Sequence, residues 1–78
     1  MSHSNIAIVQ ILSEVRAQLG EAHSIAKAAD LCAKDGQVDR AFEIALDLDE
    51  LLHSANHLMQ AAAILRRVER REQEKADD

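Results

Sequence analysis

The sequence predicts an all-α fold: an antiparallel two-helix hairpin, about 5–34 and 38–74, that pairs with a second copy into a four-helix bundle. Three observations carry this. Apolar residues recur at alternating steps of three and four over two long segments, the coiled-coil period. The chain has no Pro and only two Gly, too few for a sheet punctuated by tight turns. Its apolar arcs are also wider than one neighbouring helix can cover.

In the first segment the stripe reads Ile8, Leu12, Val15, Leu19, Ala22, Ala26, Ala29 and Ala33. It stays in register through Gly20, so helix 1 is expected to continue across that residue rather than break there. Ser2 or Ser4 is placed to cap its start. Lys34-Asp-Gly-Gln-Val-Asp39 follows, where Gly36 suits the left-handed position that ends a helix and Asp35, Gln37 or Asp39 can cap the next one. The second stripe reads Ala41, Ile44, Leu48, Leu51, Ala55, Leu58, Ala62 and Leu65, and residues 76–78 are expected to fray. So short a connection makes the helices antiparallel neighbours. Helix 1 turns all-alanine toward the connection while helix 2 begins there with Ile44, Leu48 and Leu51, so large faces small.

A flank of Ile11, Ile25 and Cys32 lies beside the first stripe, and one of Ala45, Leu52 and Met59 beside the second. One domain of 78 residues is also near the lower limit for building its own core. Both arguments lead to a homodimer whose core draws on Leu12, Leu19, Ile25, Ile44, Leu48, Leu51, Leu52, Leu58, Met59 and Leu65.

Composition narrows the function. One Cys gives neither an intrachain disulfide nor a zinc-finger set, and no apolar run nears the roughly 20 residues that span a bilayer. The run from Ile6 to Leu12 has no basic segment before it and does not read as a signal peptide, so the expected address is the cytoplasm. A net charge of −5 with a single aromatic residue argues against base stacking on nucleic acid.

The chemistry-bearing residues are few. Glu50-Leu-Leu-His53-Ser-Ala-Asn-His57 holds a Glu-x-x-His spacing and a pair of histidines one turn apart, the material of a metal-binding bundle. Both histidines fall opposite the Ile44/Leu51/Leu58 seam, however, so they are expected to be solvated. His23 falls at the edge of the first stripe and reads as a boundary histidine. Cys32 has no nearby base to activate it and reads as a packed thiol. No catalytic motif is present, so neither an enzyme nor a cofactor is expected.

Charge is distributed unevenly. Residues 1–29 and 51–78 each sum to zero; the whole −5 falls in 30–50, where Asp30, Asp35, Asp39, Glu43, Asp47, Asp49 and Glu50 face only Lys34 and Arg40. Acids at the start of helix 2 complement its dipole, but Asp49 and Glu50 lie too far along for that. Phe42 and Leu46 share this segment and lie off the seam, as do Ile64 on the same helix and Ile6, Val9 and Leu31 on helix 1. Two readings of Leu31, Phe42 and Leu46 stand: a staple closing the bundle end, or an apolar patch rimmed by Asp39, Glu43, Asp49 and Glu50 that docks a basic protein. Arg66, Arg67, Arg70 and Arg71, interleaved with Glu69 and Glu72, form a charged helix end.

Lys34-Asp-Gly-Gln-Val-Asp-Arg-Ala-Phe-Glu43 resembles the turn of one tetratricopeptide repeat, with no second copy in the chain. The expected architecture is also similar to that of the Rop-like RNA-binding four-helix dimers, a resemblance that would give the arginine cluster an RNA-binding role. The function expected from the residues themselves is a non-catalytic interaction protein: an adaptor, chaperone or inhibitor. Nucleic-acid binding through the arginines and metal binding through His53 and His57 are the alternatives.

Overall fold

In the computed structural model, residues 3–77 are described, with Ser4 and residues 75–77 described by their backbone alone. Helix α1 spans His3–Lys34 and α2 spans Val38–Asp77. The caps expected at Ser2 and Ser4 thus fall on a residue outside the described range and on one of backbone only. Residues 76 and 77, expected to fray, continue α2, and Asp78 lies outside the described residues. α1 passes through Gly20 without a break.

The turn is built by backbone chemistry. Gly36 takes φ +87°, a conformation that costs an L-residue with a Cβ. Its N–H donates to Ala33 O at 3.0 Å and that of Gln37 donates to Cys32 O at 3.0 Å, the two bonds that satisfy the last carbonyls of a helix. Gln37 then serves twice. Its carbonyl accepts the first bond of α2 from Ala41 N–H at 2.9 Å, and its side-chain oxygen accepts from Cys32 Sγ at 3.8 Å. The chain therefore reverses within Asp35, Gly36 and Gln37.

Along α2 every residue of the expected stripe, Ala41 to Leu65, is buried or half-buried. Along α1 only half of it is. Ile8, Val15, Ala22 and Ala29 face α2, but Leu12, Leu19, Ala26 and Ala33 are exposed, and their place is taken by Ile11, Gln18, Ile25 and Cys32. The repeat carries three columns on adjoining lines of the helix, and a single neighbour covers two of them. α1 has turned so that the third column, with its two leucines, stays outside. Leu12 and Leu19 thus do not belong to the seam between the helices.

Among the described residues the six buried ones are all small: Val15, Ala22, Ala29, Ala41, Ala55 and Ala62. Small side chains let the two backbones come close, but leave every described Leu, Ile, Met and Phe at least partly exposed. The result is a rod of 64 × 16 × 12 Å with a radius of gyration of 18.2 Å, against about 11–12 Å for a compact chain of this length. It exposes 6248 Å², roughly 1,500 Å² more than a compact protein of its mass. α2 has 40 residues to the 32 of α1, and the surplus runs beyond the start of α1 as a charged overhang.

Candidate functional site

The hairpin has two unlike flanks. On one side of the seam a shallow groove of about 440 Å³ crosses both helices, lined by Glu21 and Ile25 from α1 and Asp47, Glu50, Leu51 and Ser54 from α2. Its rim holds three carboxylates and no cation, and its floor is aliphatic. On the other side of the seam lie the columns of Leu12, Leu19, Ala26 and Ala33 on α1 and of Val38, Ala45, Leu52 and Met59 on α2. No charged residue interrupts them. Leu12, Leu19, Leu52 and Met59 are between 46% and 51% exposed. Three leucines and a methionine, each half-exposed, thus line up along one face of the hairpin.

The expected docking residues divide. Asp39 and Leu46 are seven residues apart, and Phe42, Glu43, Asp49 and Glu50 each lie three or four from one of them, so all six share the outer surface of α2 near the turn, and all are exposed. Phe42 is 67% exposed and Leu46, one turn on, 57%. Leu31 is not brought to them: it lies on α1, on the groove side of the seam, and is also more than half exposed. With all three so open, no staple buries Phe42 against Leu31. Ile6, Val9 and Ile64 are exposed too, off the seam as expected.

Electrostatics at this end are local. Lys34 Nζ lies 2.8 Å from Asp30 Oδ2 on the next turn. That hydrogen bond and the carboxylate charge hold the Lys34 ammonium above its ordinary pKa, with both side chains in solvent. The pair leaves Asp35, Asp39, Glu43, Asp47, Asp49 and Glu50 with Arg40 as the only other cation of the segment.

His53 and His57 are exposed on the outer surface of α2, away from the seam. Their Nε2 atoms are 3.1 Å apart and the rings meet edge to face, so one ring donates the hydrogen bond that the other accepts. Sequence reading placed them in solvent but did not foresee this contact. Two imidazoles are two ligands, and among the described residues no group of three or more His, Cys, Asp or Glu could hold a metal ion. His23 is exposed. Cys32 is a half-buried free thiol in the seam. Among the described residues no helix is long and apolar enough to cross a membrane.

Sequence reasoning missed one further residue. Gln18 enters the seam between Val15 and Ala22, and its Oε1 is buried without a hydrogen-bond partner, while its Nε2 donates to Glu14 Oε1 at 3.4 Å. The polar residue hid itself by sitting in a column that the leucine column beside it outweighed. At the open end Asn5 meets Arg66, Glu69, Arg70 and Gln73 around a depression of about 150 Å³, where the arginine cluster begins. No protein-family model matches the chain, and neither a curated protein nor a solved structure matches it.

Proposed function

We propose that this chain is a small non-catalytic interaction protein, a homodimer of hairpins forming a four-helix bundle, that docks another protein on the acidic outer surface of α2 near the turn. The observation that carries the docking role is Phe42. It is the chain's sole aromatic residue, it is 67% exposed beside Leu46, and acids surround it. An exposed ring adds little to folding but gains when a partner covers it, and an apolar centre with a charged rim is how hot spots are built. The acid excess selects a basic contact and speeds its approach. The aliphatic flank opposite the groove supports the dimer. In this reading the protein serves as an adaptor, chaperone or inhibitor in the cytoplasm.

The test compares wild type with Phe42→Ala as immobilised bait at moderate salt, alongside thermal unfolding of both. The expected result is capture of a protein with a basic surface, at least tenfold weaker with Phe42→Ala, while the melting temperature moves by no more than a degree or two. A loss of about 2 kcal/mol is typical of a hot spot. Equal capture by both baits sinks the docking role. Capture abolished by nuclease and by Arg66→Ala with Arg67→Ala, but not by Phe42→Ala, transfers the function to nucleic acid.

A further inference from the structure

We infer that the second copy covers the flank of Leu12, Leu19, Leu52 and Met59, and that it lies antiparallel, its turn over the other hairpin's open end. The inference rests on the homodimer proposed above and adds the face and the direction. The face follows from its chemistry. Its paired columns are aliphatic at every position from Leu12 to Ala33 and from Val38 to Met59, whereas the opposite flank carries Glu21, Asp47 and Glu50. The rod as a whole exposes roughly 1,500 Å² more than a compact chain of its mass, room for the about 800 Å² that each partner gives to a stable interface.

Direction follows from two independent asymmetries. The first is size. Across the hairpin, Leu12 stands level with Met59, Leu19 with Leu52, Ala26 with Ala45 and Ala33 with Val38, because the chain reverses at Gly36. The open half of the face is therefore large and the turn half small. A two-fold axis perpendicular to the helices, passing midway between the Leu19/Leu52 and Ala26/Ala45 levels, seats each pair of leucines on a pair of alanines. It likewise seats Leu12 and Met59 on Ala33 and Val38. A parallel pair would stack leucine on leucine at one end and leave alanine facing alanine at the other, holding the small halves apart.

The second asymmetry is charge. Asp35 and Asp39 lie at the turn, while Arg66, Arg67, Arg70 and Arg71 lie at the open end among Glu69, Glu72 and Glu74. Antiparallel pairing brings the arginines of each copy toward Asp35 and Asp39 at the other's turn. Parallel pairing sets acid against acid and arginine against arginine, a like-charge cost.

The experiment uses the full chain with Cys32→Ser and a nitroxide label at Gln37→Cys, measured by pulsed electron–electron distance spectroscopy beside sedimentation equilibrium. Gln37 lies about 17 Å along the axis from the middle of the face at 1.5 Å rise per residue, so the antiparallel dimer gives a label distance of about 35 Å. A parallel dimer gives less than about 20 Å. Mixing this protein with one labelled at Arg67→Cys reverses the expectation: short for antiparallel, long for parallel, and this second pair decides should the turn label disturb Gly36. A dimer with the short turn-to-turn distance overturns this inference and leaves the homodimer standing. A monomer at all concentrations overturns both and assigns the leucine flank to a different protein.

Discussion

The two flanks of this hairpin are made by the same two helices and the same seven-residue repeat, yet one is lined by Glu21, Asp47 and Glu50 and the other by Leu12, Leu19, Leu52 and Met59. What separates them is one step around each helix. The seam occupies the middle columns. The column to one side is aliphatic on both helices, and the column to the other side is charged or small on both. A solitary hairpin has no use for that difference, since both flanks meet the same water. A hairpin with a neighbour on one side does. The choice α1 makes in the seam points the same way: it turns Gln18 inward and leaves Leu12 and Leu19 out, a poor exchange for a monomer and a good one for a dimer that buries the leucines against a second copy.

The strongest way to break the comparison is to charge the apolar flank. Leu19→Glu with Leu52→Glu places four carboxylates in the centre of the proposed dimer and removes four leucines, each worth about 1.5–3 kcal/mol when buried. The dissociation constant should rise by at least a hundredfold, and sedimentation equilibrium should return a mass near 8.6 kDa at micromolar concentration. Glu21→Gln with Asp47→Asn on the opposite flank should leave the mass as in wild type. If both doubles behave alike, the flanks do not differ in role.

Much of this architecture is legible in the residues. On helix α2 the eight stripe positions, Ala41 to Leu65, all lie in the seam as spacing indicates, and Gly36 marks the turn as the one described residue at positive φ. Helix α1 offers three columns, with Ile8, Val15, Ala22 and Ala29 common to either choice of two, and periodicity cannot rank Leu12 and Leu19 against Ile11 and Ile25. That decision belongs to the packed pair. The docking residues on α2 share a face for the same reason the stripe does, whereas Leu31 was assigned across a turn, where one helix's period says nothing of the other's orientation. The contact of His53 with His57 depends on rotamers, which spacing allows but does not select.

A smaller effect is expected within the seam. Gln18 Oε1 is buried without a partner, and an orphaned polar atom costs about 1–3 kcal/mol. Gln18→Leu keeps the volume and removes the orphan, so the urea midpoint should rise by the equivalent of about 1 kcal/mol or more at fixed protein concentration. An unchanged or lower midpoint would mean that the dimer supplies the missing donor. Gln18 would then be a register-setting residue, like the lone polar group in a coiled-coil core.

The smallest expected effect is at Gly20, set beside Gly36, and it isolates what belongs to the backbone rather than to either flank. Gly36 and Gly20 both have open space where a Cβ would go, with nothing within 4 Å, so sterics against neighbouring side chains cannot distinguish them. Their backbones do. Gly36 at φ +87° closes α1, and Gly36→Ala must force a side chain into the left-handed region, at a cost of about 1–2 kcal/mol. Gly20 sits in the middle of α1 at negative φ, on the outer surface away from both flanks, with its carbonyl accepting from Ser24 Oγ at 3.3 Å. There glycine only loosens the helix and enlarges the unfolded ensemble. Gly20→Ala should stabilise the fold by about 1 kcal/mol. Because the new methyl faces neither flank, the gain should appear in thermal unfolding with the dissociation constant unchanged. A gain in dimer affinity instead would place the outer surface of α1 at the interface and reassign the flanks.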